Sequence, residues 1–202
     1  MRLGVLGPAG GDVAALGRAA EFLLNTVRVH RAIYVGSDDA IDRAVAAWAR
    51  KLVGEDPSAD GTWTRASNLA LEGTPEEIDR FVAGERARLR LRALEALPSS
   101  ANVAIERIGN RVVVLVHDAT GLAERDVSNA SVVVFGKSDA PAIRRVGERW
   151  FITPGSIGAR GGGLAVLDDE QPDVCVTIFD GTGRATRRES LGSHADGLAV
   201  ER

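Results

Sequence analysis

Gly7-Pro8-Ala9-Gly10-Gly11 is the first stretch of the chain whose spacing could carry chemistry. It lies between the apolar run Leu3 to Leu6 and a helical pattern, where backbone N–H groups and a helix terminus can hold a phosphate. It has neither the G-x-G-x-x-G of a dinucleotide turn nor a G-K-[ST]. A tight structural turn is therefore the first reading, and a sensor of a phosphorylated small molecule the alternative. His30 and His194 have no neighbouring ligand at metal spacing, and no serine can be paired with a histidine for a nucleophilic triad. Cys175, the single cysteine, alternates with apolar neighbours in VCVTIF, which predicts a buried thiol on a strand.

Those residues need elements to position them. Val13, Leu16, Ala20, Leu23, Leu24 and Val27 have helical spacing, with Asp12 as N-cap. The strand Ala32 to Val35 and a helix from about Asp39 to Lys51 repeat the βα unit, which implies a parallel sheet covered by helices. Gly54 to Gly61 is turn-rich, and Thr74-Pro75-Glu76-Glu77 is a capping box. A helix from about Pro75 to Leu97 is expected after it. Its arginines at 86, 88, 90 and 92 fall on two faces, because steps of two residues rotate by about 200°. They form no single phosphate-tracking stripe. After Pro98 the pattern turns β-rich, with hairpins at Gly109-Asn110 and Gly147-Glu148, an apolar strand Val132 to Phe135, and strands Leu164 to Leu167 and Val174 to Phe179. From about Arg184 the chain is polar and is expected to form a loosely held tail. This pattern by itself supports an α/β or α+β class.

The run FGKSDAPAIRRVGERWFITPGSIGAR, Phe135 to Arg160, resembles the last metal-binding loop of the calcineurin-like metallophosphoesterases, in their small bacterial and archaeal phosphodiesterase branch. Members open with Asp-x-His, continue through Gly-Asp, Gly-Asn-x-Asp and Gly-His-x-His, and close with Asn-Pro-Gly-Ser. Here Pro8 and Gly10 stand at the first-motif positions. Gly36 is retained, Ser37 takes the bridging-aspartate position, and Asp38 and Asp39 are displaced by one and two residues. Glu55, in Val53-Gly54-Glu55-Asp56, stands for the ligand asparagine. His117 is in place after VVVLV, with Ala119 where a second histidine belongs. Lys137 and Asp139 replace the histidines of the last motif, and Thr153-Pro154-Gly155-Ser156 keeps the closing turn.

The resemblance implies an α/β fold, an αββα sandwich of two mixed sheets flanked by helices, over residues 1–183, with a helical insertion at about 55–100 and a polar tail at 184–202. It also implies a degenerate site. Two divalent cations need several oxygen and imidazole ligands to offset their repulsion and to activate the bridging water. The lysine ammonium would repel a dication by roughly 8 kcal/mol at about 4 Å with an effective dielectric near 20. A non-catalytic scaffold or regulatory subunit with no metal cofactor follows, as in an endosomal coat subunit known to use this fold for protein binding. Trp63 and Phe81 are its candidate docking anchors. The alternative is a phosphoric ester hydrolase with manganese or another divalent metal on Asp38, His117 and Asp139, with Asp39 nearby. A third arrangement is a metal-free cluster in which a carboxylate of Asp38 or Asp139, with His117, balances Lys137.

Composition fits a soluble domain. Of 202 residues, 45% are hydrophobic and 26% charged, enough for a sizeable core, and a net charge of -3 gives no overall attraction to nucleic acid or anionic membrane. No apolar run approaches ~20 residues and no basic, then hydrophobic, leader opens the chain. A cytoplasmic protein with a protein partner is expected, and a homodimer is compatible with its size.

Overall fold

The computed structural model describes residues 1–98, 102–122, 127–170 and 173–192. Two mixed sheets stack face to face. The first is built on β1 (Arg2–Leu6), which pairs in parallel with β2 (Arg31–Tyr34). Between them run α1 (Val13–Glu21), capped by Asp12 Oδ1 on the Ala15 N–H at 2.9 Å, and a π-helical turn over Phe22–Val27. After β2 comes α2 (Ala40–Val53). Leu16, Leu23 and Ile41 from these helices bury against the outer face of the sheet, where Tyr34 and Leu6 alternate with residues facing inward. This is the covering-helix arrangement that the βα repeat predicts.

The chain then leaves the sheet as an antiparallel hairpin of α3 (Ala59–Glu72) and α4 (Pro75–Arg90), joined through Gly73 and Thr74. Ser58 caps α3, and the expected capping box holds at Thr74 and Glu77. The helix does not reach Leu97. It ends at Arg90, passes through a 3-10 turn at Leu91–Ala93 and becomes β3 (Leu94–Ala96), parallel to β2. Leu91, Leu94 and Leu97 keep a three-residue spacing that reads as helix. The open edge of β2 instead supplies Leu94–Ala96 with sheet partners for their backbone groups.

The second sheet has the order β4 (Val103–Ile108), β5 (Arg111–Val116), β6 (Val132–Phe135), β8 (Arg149–Thr153), β7 (Ala142–Val146). Both hairpins turn where the sequence places them, since Ile108 pairs with Arg111 and Val146 with Arg149. Gly109 and Gly147 supply the positive φ of 57° and 61° that the tight turns require. In β5, Val113 and Leu115 enter the core between the sheets, while Val114 and Val116 pack on the far side with Ala130 and Val133. A strand apolar on both faces is thus covered on both.

The first sheet is completed by β9 (Gly163–Glu170), β10 (Asp173–Asp180) and β11 (Ala185–Ser190), in the order β11-β10-β9-β1-β2-β3. The tail expected from residue 184 is corrected over 185–190, which pair with β10. Its polarity is that of an exposed edge strand, with Arg187, Arg188 and Glu189 discouraging further pairing. His194 lies outside the described residues. Cys175 faces outward on β10 and is half-buried, not fully buried as the alternation suggested. Among the described residues no helix is long and apolar enough to cross a membrane.

Candidate functional site

The loops after β1, β2, β5 and β6 converge at one end of the sandwich. Their approach is close. A Cβ on Gly7 would lie 1.9 Å from the Gly155 carbonyl oxygen, and one on Gly136 would lie 2.1 Å from that of Val35. Only glycine fits either position. The Ile157 N–H donates to the Pro8 carbonyl at 2.8 Å, and Gly7 donates to Gly163 at 2.9 Å. Thr153-Pro154-Gly155-Ser156, with Gly155 at φ 76°, therefore clamps the first loop in place.

His117 bridges the two sheets. Its Nδ1 lies 2.9 Å from the Val35 carbonyl, which can only accept, so Nδ1 carries the proton and Nε2 is the free acceptor. On either side of the imidazole lies a cavity. The smaller, about 280 Å³, is lined by Pro8, His117, Lys137, Ser138, Asp139 and Ser156. The larger, about 630 Å³, has Ser37, Asp38, Asp39, Asp42 and Asp118 on its polar side, with Leu97, Val103 and Val116 among its apolar wall residues.

The polar groups are committed to separate partners. Lys137 Nζ pairs with Asp118 at 2.5 Å. Asp118 also accepts from the Thr120 N–H and hydroxyl at 2.9 and 2.7 Å. The lysine, then these bonds, hold its carboxyl well below the usual aspartate range. Asp38 Oδ1 accepts from the Tyr34 hydroxyl at 2.7 Å and from the Ala40 N–H at 3.2 Å. Tyr34 in turn accepts from the Ala9 N–H at 3.1 Å. Burial, then the bond to Asp38, raises the Tyr34 phenol above its ordinary value. Asp139 takes the Ser156 hydroxyl at 3.2 Å, and Asp39 pairs with Arg43 one turn along α2.

The expected cluster is accordingly corrected. A carboxylate does balance Lys137, but it belongs to Asp118, not to Asp38 or Asp139. Asp118 and Tyr34 are the residues that sequence reasoning missed. The D-x-T spacing of Asp118 and Thr120, a side chain closing its own turn, was the available signal for the first. Glu55 is also displaced. Asp39 and the start of α2 are at the site, and 14 residues of helix carry the chain about 21 Å away before Glu55. The strand neighbouring β2 is β3, so the segment after Ala96, not the one after α2, is delivered to this end. Pro8 lines the small cavity, Gly10 is exposed at φ 57°, Ser37 faces the large cavity and Ala119 opens a 3-10 turn. Trp63 stands on the outside of α3 at 71% exposure. Phe81 is half-buried in a groove with Leu52, Val53 and Leu69, so the two aromatic residues do not share a surface.

The donor set does not fit a two-metal centre. Among the described residues no three His, Cys, Asp or Glu side chains converge on one point, and Lys137, which lines the small cavity with His117, has its ammonium on Asp118. Lys137 is 63% exposed, so water screens much of its repulsion toward a cation, but it supplies no lone pair as a ligand. In the Gly7 to Gly11 turn two of the backbone N–H groups are already used. The Gly7 and Ala9 N–H groups are taken by Gly163 and Tyr34, and Asp12 already places a carboxylate at the helix terminus.

No protein-family model and no curated protein matches the chain. Solved structures do. A double mutant of Vps29 from Entamoeba histolytica superposes with a TM-score of 0.52 and 12% identity, over 95% of this chain and 100% of that one. A predicted phosphoesterase from Streptococcus pneumoniae gives 0.51 and 9%, over 94% and 98%. A single mutant of the Entamoeba protein gives 0.50 and 14%, over 95% and 100%. With two mixed sheets flanked by helices, the chain has the fold of the calcineurin-like metallophosphoesterases.

Proposed function

We propose that this protein is a non-catalytic metallophosphoesterase-like domain that works without a metal cofactor as a protein-binding scaffold or regulatory subunit. The observation that carries this reading is Lys137. At a position where the resemblance expects a metal-binding histidine, it places an ammonium held by Asp118. Lys137 has no lone pair to offer a metal, and Asp118 balances its charge without one. The other acidic groups are spent on local bonds that shape the loops: Asp38 on Tyr34 and Asp139 on Ser156. A site of this kind keeps the geometry of the sandwich end and has no activated water to offer.

Support for the scaffold role comes from the α3–α4 hairpin. It stands off the sheet and carries Trp63 and Leu71 at 71% and 83% exposure. Tryptophan is among the residue types enriched at the anchors of protein contacts. Elemental analysis of protein purified with added manganese tests the reading. Near-zero metal per chain is expected. About one or two manganese ions per chain, lost in His117→Ala, would restore a rebuilt hydrolytic site on Asp38, His117 and Asp139.

A further inference from the structure

We propose that the outer face of the α3–α4 hairpin binds the same face of a second copy of this chain, with the two α4 helices antiparallel across a two-fold axis. The inner sides of the helices are fixed by contacts. Thr62 and Arg65 of α3 meet Glu85 of α4, and Gly84 of α4 lies against Leu52 of α2. Phe81, Leu69 and Arg65 line the groove on the α2 side. At 100° per residue, Trp63, Ala66 and Ala70 then fall on the α3 flank turned away from α2. Ile78, Val82 and Leu89 fall on the matching flank of α4. Trp63, Ile78 and Leu89 are 71%, 41% and 44% exposed, so the two flanks form one apolar face in water.

Its charges say what covers it. Asp79 and Arg86 are seven residues apart on the same flank of α4, and both are exposed. Neither makes an ion pair among the described residues. A two-fold axis near the middle of α4 sets Ile78 against Leu89 of the second copy and brings Asp79 within a turn of the opposite Arg86. It also opposes the helix dipoles. The face is thus complementary to itself, as an isologous contact requires. A partner of one charge sign would leave half of it mismatched. The 16-residue α4 is about 24 Å long. With α3 about 10 Å away, the face offers roughly 500 Å² per copy, the size class of weak, reversible contacts. The contact uses no residue of the candidate site, and its test is independent of the metal result.

Sedimentation velocity of the full chain from about 1 to 500 µM reads the outcome. A concentration-dependent species of twice the 21.3 kDa chain mass is expected. Leu89→Glu should abolish it, and Asp79→Arg should weaken it at least about tenfold. Asp79→Arg combined with Arg86→Asp should restore it. All three sites are exposed, so circular dichroism and Tm should match the parent and exclude misfolding. A monomer throughout the range overturns the proposal. So does a dimer that Leu89→Glu and the charge reversal leave unchanged.

Discussion

Replacing Glu85 with alanine should free α3 from the rest of the molecule. Glu85 is one of the few charged side chains that are buried, at 8% exposure. Its carboxylate receives Arg65 at 2.7 Å, Arg88 at 2.6 Å and the Thr62 hydroxyl at 3.2 Å. Losing one partner of a buried ion pair costs about 3–5 kcal/mol. The Arg65 and Arg88 side chains keep 26% and 16% exposure and can partly rehydrate, so the lower end, about 3 kcal/mol, applies. A helix of 14 residues has little stability on its own in water, and the principal packing of α3 is against α4. Its opening free energy should therefore fall by nearly the whole amount. In hydrogen exchange, amides of residues 62–72 should exchange about a hundredfold faster in Glu85→Ala, while those of β1 and β5 keep their protection. Unchanged exchange over α3 would refute the claim that this clasp holds the hairpin. Equal acceleration in the sheets would show that α3 does not open as a separate unit.

Two further outcomes follow from the buried polar groups. Burial pushes the Glu85 carboxyl up, but the bonds from Arg65 and Arg88 outweigh it and the net shift is down. Its stabilisation is therefore complete above the ordinary glutamate value of 4.5 and is lost as pH falls through the lower folded value. Exchange over α3 should accelerate below that pH relative to the sheets, beyond the intrinsic pH effect, and the acceleration should be absent in Glu85→Ala. Tyr34→Phe removes a hydrogen bond to a carboxylate and strands the buried Ala9 N–H, costing about 2 kcal/mol. For a chain of this length Tm should drop by about 4–8 °C. A Tm within about 1 °C of the parent would show that the Tyr34 bridge between the first two loops is not a stabilising contact.

The parts of this fold that were legible in the sequence are those whose physics is local. The cap at Asp12, the capping box at Thr74 and the turns at Gly109 and Gly147 each need only neighbouring residues, and each stands where its motif lies. What was not legible depends on a distant partner. β11 is polar because it is an edge, and only its pairing with β10 makes it a strand. The end of α4 is set by the vacant edge of β2, which no property of Leu91 to Leu97 announces. The site divides in the same way. The expectations at Pro8, Ser37, Ala119 and Lys137 come from the family resemblance, which says nothing of the carboxylate that Lys137 meets. Asp118 reaches it across the gap between two adjacent strands, β5 and β6.

Turnover of a generic aryl phosphodiester, with manganese present and His117→Ala measured beside the parent, tests the central claim most directly. Lys137 paired with Asp118 and the dispersed carboxylates predict a rate for the parent no higher than that of His117→Ala or of buffer with manganese. Turnover by the parent that disappears in His117→Ala would contradict the account and establish a working hydrolytic centre at the end of this sandwich.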